Sequence, residues 1–362
     1  MAGKVHQADW RLAVRCACAF GFSAASIAAS AQGAVTIYGI TDVFFGRASG
    51  SSSVTRVQEG GASSSQLGFR GTEDLGGGLS AGFTLEAGVG TDTGSGNVPG
   101  PGLAFTRQSF VSISSPSSWG SLSAGRQYTP IFRTTWRADA FGSNPVFSPN
   151  GLWAQTDAQP NFQSWAARYD NSLLYTSPSS LPVTVSLMYA PGEAANSSSG
   201  NYTGGSVSWT GGPLWVGTGF QKIKSGTAAA PVANPYTSTT NAFAASYEQG
   251  ALRLGGSFGS QGSNAAGSPK AKLWTLNAQY DVTAQHRLML GLGDRKVDGS
   301  ARGQRMSVLG YHYMLSKRTD IYVRAYRLTN RGDAGVSLAQ IPINANSGAD
   351  GTHNAIGIIH RF

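Results

Sequence analysis

The pentapeptide "GGSFG" at 255–259 puts Ser257 at the centre of a G-x-S-x-G spacing. That spacing raises a nucleophilic hydroxyl on a strand-to-helix elbow, and hydrolysis then needs Asp and His partners downstream. Here the flanking "LRLGGSF" reads as the end of a strand with no helix after it. With 49 glycines in 362 residues, a match by composition alone is expected. The histidines could do metal chemistry. Beyond residue 31 they are His286, His312, His353 and His360, and none stands at a ligand spacing from a second His or a carboxylate on one face. His360 reads instead as an interfacial residue. The "RGD" at 331–333 lies in a long loop, where a solvated tip is the usual meaning. No catalytic, cofactor-binding or metal-ligating residue is assigned, and no cofactor is expected.

The elements around these residues explain why they are inert. The N-terminus has a basic start (Lys4, Arg11, Arg15), an apolar stretch of small residues from Ala13 to about Ala29, and an A-x-A site at Ala29–Ser30–Ala31. Residues 1–31 read as a cleaved signal peptide, and residues 32–362 as the exported domain. The stretch is too short and too rich in Ala and Ser for a membrane helix. Both cysteines, Cys16 and Cys18, fall in the leader, so the exported domain has neither a disulfide nor a thiol site. The formal net charge is +9, of which the leader carries two, leaving +7. Lys and Arg are scattered about one per strand or loop rather than gathered in a patch, which argues against nucleic acid. Charged residues make up 12% of the chain, against about 25% in an ordinary soluble domain.

Past the leader no helical period appears, and no apolar run approaches the ~20 residues of a spanning helix. Short segments alternate apolar and polar residues between Gly, Ser, Asn and Pro clusters. "LWTLNAQY" sets Trp274, Leu276, Ala278 and Tyr280 against Thr275, Asn277 and Gln279. "HRLMLGLG" aligns Leu288, Leu290 and Leu292, and "RTDIYVRAYR" sets Ile321, Val323 and Ala325 against Tyr322, Arg324 and Tyr326. Several apolar faces end in an aromatic residue: Tyr175, Tyr189, Tyr247, Tyr280, Tyr313 and Phe362. Connections alternate between tight turns (177–182, 210–213, 248–250, 316–318) and long polar loops (47–64, 190–201, 222–238, 259–270, 328–350). Aromatic girdles and alternating loop lengths are the pattern of an outer-membrane barrel. In lipid every backbone amide must pair internally, so strands cross only as a closed antiparallel transmembrane β-barrel. Its outer face is apolar and its lumen wet and polar, with no apolar core required. A mean hydropathy of −0.15 fits that division. The count is about 16 strands, and the pattern admits 16 or 18. The chain ends on a strand face of Ile356, Ile358, His360 and Phe362 rather than on a loose tail.

At this point the sequence resembles the trimeric general porins of Gram-negative outer membranes. "LGFRGTEDLGGGLSAGFTLEAG" (67–88), "TRQSFVSI" (106–113), "GSLSAGRQYTP" (120–130), "RYDNSLLYTSP" (168–178), "YMLSKRTDIYV" (313–323) and the terminal "HRF" follow the family's order. The resemblance implies an all-β barrel of sixteen strands, a homotrimer, and passive diffusion of small hydrophilic solutes and ions. It implies a long third loop, about 129–166, folded into the lumen. It also implies a terminal strand (Phe362, His360, Ile358) read by the outer-membrane assembly machinery, and contact with lipids and lipopolysaccharide. Its constriction residues carry over to Arg107, Arg126 and Arg168 on the wall and to Arg133, Arg137 and Asp139 on the loop, with Asp157 further along and Glu86 opposing. Gln66 stands where the family often has Arg. The basic set implies a moderate preference for anions. Two other readings remain. An outer-membrane barrel enzyme, a lipase or protease, would need a Ser–His or Asp–His constellation at one rim. A surface adhesin would lack the alternating loops and the terminal Phe.

Overall fold

The computed structural model describes residues 35–96, 104–155, 165–336 and 348–362. The leader and Asp157 lie outside them. The described residues form seventeen β-segments in one antiparallel sheet: β1 Thr36–Ser49, β2 Ser53–Glu59, β3 Gln66–Gly76, β4 Leu79–Gly88, β5 Gln108–Ser115, β6 Gly120–Tyr128, β7 Arg168–Thr176, β8 Val183–Ala190, β9 Tyr202–Gly211, β10 Leu214–Lys224, β11 Thr237–Gln249, β12 Leu252–Ser263, β13 Ala271–Asp281, β14 His286–Val297, β15 Gly303–Met314, β16 Thr319–Arg331 and β17 Gly351–Arg361. Apart from β2 and β3, which both pair with β1, each segment pairs with its neighbour in sequence, and β17 returns to pair with β1, so the sheet closes.

The seventeen segments make sixteen staves. One side of β1 pairs with β2 along Val43–Ser49 and with β3 along Thr36–Ile40. β2 and β3 are therefore one stave, interrupted at residues 60–65. Asp42 holds the interruption together. Its carboxylate accepts from the amides of Ala62 (2.7 Å) and Ser63 (2.6 Å) and from the Tyr322 hydroxyl across the seam.

The alternation read from the sequence sets the two faces. Leu276 is 57% exposed on the outside, while Thr275 beside it is 1% exposed on the inside. Leu288, Leu290, Leu292, Val323, Ile356 and Ile358 also face outward, and Tyr322, Arg324 and Tyr326 inward. Tyr175, Tyr247, Tyr280, Tyr313 and Phe362 end strands at the rim of tight turns, joined there by Trp209, whereas Tyr189 sits at the opposite rim. The tight turns fall where expected, but several long loops are shorter. Residues 47–49 and 53–59 are strand, and β10, β11, β12 and β16 run into stretches read as loop. The ladder continues there although the outer face has turned polar, so alternation is lost before pairing is.

The expectation of a barrel without an apolar core is corrected. The described residues of the third loop, 129–155 and 165–167, enter the lumen and pack against the wall from β8 round to β17. Phe141, Val146, Phe147, Leu152 and Trp153 of this loop meet Leu273, Met306, Tyr322, Tyr326 and Phe44 of the wall in one buried cluster. The inner face is thus half dry and half wet.

Candidate pore constriction

The loop is pinned at its base. Thr129 donates from its amide to Ala167 O (3.0 Å) and from its hydroxyl to Ala166 O (2.7 Å). The same hydroxyl caps the helix α1, Pro130–Arg137, by accepting from the Phe132 amide, and Pro130 fits the first helical position, which needs no donor. Ile131, Thr134 and Thr135 face the wall of β9–β11. A short 3-10 helix, Pro149–Ala154, lies on β13–β15. Glycine on the inner face permits this approach. A Cβ at Gly255 would meet Ala138 O at 2.1 Å, and one at Gly259 would meet the Trp153 ring at 2.6 Å. Trp153 is fully buried and donates to Ser257 Oγ at 3.2 Å. Ser257, also bonded to Thr275 Oγ1 at 2.8 Å, anchors the loop and has no acid–base partner beside it among the described residues. At the far side Asn144 donates to Gly60 O (2.5 Å), which ties the loop to the interrupted stave.

On the inner wall of β3–β7, outside that buried cluster, Arg107 and Arg168 converge. Arg107 donates from Nε to Glu86 Oε1 (2.8 Å) and from Nη2 to the Tyr128 hydroxyl (2.9 Å). Arg168 donates from Nη2 to the same hydroxyl (2.7 Å), with its guanidinium 4.4 Å from the Tyr128 ring centre. Tyr128 stacks in turn on Phe132 of α1, with centroids 5.0 Å apart and planes 8° apart. Tyr38 donates to Glu86 Oε2 (3.2 Å), and Arg70 lies 5.2 Å from the Tyr38 ring centre. Arginines held over aromatic faces keep their charge and a fixed direction. Arg70, Arg107 and Arg168 against Glu86 leave this wall a net two positive charges. Arg133 on α1 adds a third, exposed and without a bonded partner among the described residues.

Three expected members are not brought into this group. Arg126 pairs with Ser109 in a register that places it on the face of Val111, turned away from the lumen, and it donates to Asp170 (2.6 Å). The β-bulge at Gly125–Gln127 separates its direction from that of Tyr128. Arg137 binds Glu248 (2.5 Å) at the rim of tight turns. Asp139 does not line the lumen. Its buried carboxylate accepts from the amides of Phe141 (2.9 Å) and Ser143 (2.6 Å) and from Ser148 Oγ (2.5 Å), a knot internal to the loop. Burial pushes its pKa up against those hydrogen bonds. Tyr38, Arg70 and Tyr128 escaped the sequence reading. Inward parity of Arg70 in "LGFRG" was a usable signal for one of them. Gln66 lies one inward position from Gly68 and two from Arg70 on the same face, so the missing rung and Arg70 differ in height.

Elsewhere, no group of three or more His, Asp or Glu side chains suited to a metal occurs among the described residues. The RGD tripeptide is not a free tip, since Arg331 donates to Asp294 (3.0 Å) and Asp333 pairs with Arg302. Phe362 exchanges two backbone bonds of 3.1 Å with Gly39, and its ring fills the space over that glycine, where a Cβ would lie 2.4 Å from Cζ. His360 accepts or donates at 2.9 Å with Thr319 Oγ1, on the same outer face as Ile358.

Known proteins bear the same architecture. Residues 16–333 match the Gram-negative porin family. Outer membrane porin protein 32 of Delftia acidovorans is 31% identical, with 94% of this chain and 97% of that protein covered. An outer membrane porin protein of Bordetella pertussis is 28% identical over 92% of this chain and 96% of that protein. Among solved structures, the anion-selective porin from Comamonas acidovorans superposes with a TM-score of 0.81 at 28% identity, covering 91% of this chain and all of that one. An outer membrane protein of Vibrio cholerae, at 15% identity and a TM-score of 0.65 over 93% of this chain and all of that one, shares the fold. The closed sixteen-stave barrel accords with these relatives, and the chain belongs to the family of Gram-negative porins, channel-forming barrels of the outer membrane.

Proposed function

We propose that the channel favours anions, and that the open wall of Arg70, Arg107 and Arg168, faced by Arg133, is the element that does so. One observation carries the reading: among the described residues, these arginines stand together on the inner wall outside the cluster that the third loop buries. Small hydrophilic anions crossing the barrel must then pass within reach of a net positive surface in a narrow, low-dielectric surround. The name of the Comamonas acidovorans relative, an anion-selective porin, supports it. The channel stays wet, so the preference is moderate. The reversal potential of the purified protein in a planar bilayer under a KCl gradient is the direct test. A cation-selective potential overturns the reading.

The protein is further proposed to work as a homotrimer, with the early strands as the contact face, and to be exported with a leader cleaved after Ala31. Lipopolysaccharide and the outer-membrane assembly machinery are proposed partners, the latter through the terminal strand ending in Phe362. Chemical cross-linking in mild detergent tests the trimer, and only monomer would refute it. The channel is proposed to have no hydrolytic activity. Ser257 is committed to the loop, and hydrolysis of lipid or peptide substrates by the pure protein would overturn that assignment.

A further inference from the structure

The arginine wall has an aromatic neighbour that ion preference does not use. Tyr128, Phe132 and Trp136 form a cluster of three rings, with centroids 5.0, 6.0 and 5.9 Å apart and planes tilted by 8° to 34°. Trp165 backs Phe132 at 5.2 Å, and Trp153 backs Trp165 at 5.9 Å, so the cluster is rooted in the buried core. Its front is open, with Trp136 45% exposed. Ile131, Thr134 and Thr135 hold α1 against the wall, so the exposed side of the helix, Arg133, Trp136 and Arg137, faces the lumen. A Cβ at Gly142 would meet only the indole Nε1, at 3.7 Å, so the ring edge has room beside it. A solute lying on Trp136 would take out of water apolar area that the folded chain leaves exposed.

Cations flank the cluster. Arg168 stands 4.4 Å from the Tyr128 ring centre, and its buried Nε has no acceptor among the described residues. Arg133 precedes Trp136 by three residues, which sets their Cβ atoms about 5–6 Å apart on one side of the helix. It too has no bonded partner among the described residues. Arg137, at the other end of α1, is bonded to Glu248, so the uncompensated charge gathers at Arg133 and Arg168. The hydroxyls that α1 brings are spent, since Thr134 donates to Pro130 O and Thr135 to Ile131 O, and neither serves a sugar. An aromatic face with guanidinium groups at one end matches a flat ring that carries an anion.

We infer that this corner of the lumen is a transit site for small aromatic carboxylates, with the ring on Trp136 and the carboxylate on Arg133 and Arg168. The inference rests on the anion-favouring reading above and adds a ring preference to it. A ring–ring contact of this kind is worth roughly two- to tenfold in affinity beyond apolar burial. A saturated ring acid of the same charge keeps the arginines and the apolar contact and loses that increment.

The test is single-channel recording of the full protein in a planar bilayer in KCl at neutral pH, titrated with benzoate, cyclohexanecarboxylate or acetate. Benzoate should interrupt the current with the highest affinity, about threefold above cyclohexanecarboxylate and about tenfold above acetate. Trp136→Leu keeps apolar bulk and should erase the difference between the two ring acids, whereas Trp136→Tyr should keep it. Arg133→Gln should weaken benzoate about threefold and leave uncharged benzyl alcohol unaffected. Equal affinity for the two ring acids in the unsubstituted protein, or a difference that survives Trp136→Leu, overturns the site. Glucose 6-phosphate binding more tightly than inorganic phosphate would make the cluster a sugar platform and overturn the ring-acid assignment. The KCl reversal potential of the same unsubstituted channels separates the two readings. An anion-selective potential without ring preference sinks this inference alone, and a cation-selective one sinks the anion reading and this inference with it.

Discussion

Arg168, Glu86 and Arg126 give three substitutions with three different expected signs on ion selectivity. A unit charge about 8 Å from a passing ion changes its energy by about 0.5 kcal/mol in water, and by about 0.2 kcal/mol after one Debye length of screening. Anions and cations respond in opposite directions, so each charge alters their permeability ratio by about 0.4 kcal/mol, or about twofold. The net three charges of Arg70, Arg107, Arg168 and Arg133 less Glu86 then correspond to a ratio of about eightfold at physiological salt. Arg168→Ala should halve that ratio. Glu86→Gln keeps the hydrogen bonds to Arg107 and Tyr38 yet removes the one opposing charge, so it should double the ratio. Arg126→Ala should leave it unchanged, because Arg126 shares the outer face of Val111 and is paired with Asp170. The assay is the reversal potential across a planar bilayer under a KCl gradient. At about 1 M salt, with a Debye length of ~3 Å, the three variants should converge. An Arg126→Ala effect equal to that of Arg168→Ala, or a fall in anion preference for Glu86→Gln, would refute the assignment of the open wall.

Trp153→Ala removes the fully buried ring over Gly259 and the bond to Ser257; at about 3–5 kcal/mol for a buried Trp truncation, the loop should detach. Single-channel recordings should then show larger and noisier steps, and unchanged steps would mean the loop is held elsewhere. Deleting Phe362 removes two seam hydrogen bonds and the ring over Gly39, about 2–3 kcal/mol in all, so the yield of folded, heat-modifiable barrel should drop while export across the inner membrane is unaffected. The pH response of the loop follows from Asp139. Its folded pKa is raised by burial, so its proton uptake favours the folded loop: that contribution is full below the ordinary value of about 3.9 and is lost as pH rises through the folded value. Acidification from neutrality should therefore leave conductance unchanged or lower in about 1 M salt, where charge effects on ions are screened. A rise on acidification would count against it.

The closed barrel, its two faces, the tight turns and the terminal strand were legible in the residues, because alternation at period two is imposed by the pleat and survives in any sequence whose two faces meet different solvents. Leu276 beside Thr275 and Val323 beside Arg324 carry that information locally. The loop's inward fold was legible only as an expectation from likeness. Its bed of glycines at Gly255 and Gly259 looks, in sequence, like composition alone. What needed the tertiary structure was direction and company. A bulge at Gly125–Gln127 turns Arg126 away from Tyr128, a few amides swallow Asp139, and Glu248 draws Arg137 to the opposite rim. Arg107 and Arg168, far apart in the chain, meet at the Tyr128 hydroxyl because strand register, set by pairing across the whole sheet, fixes which residues share a height. Period and polarity are properties of neighbours in sequence; register, bulges and loop packing are set by residues a hundred positions away, and those decided the site.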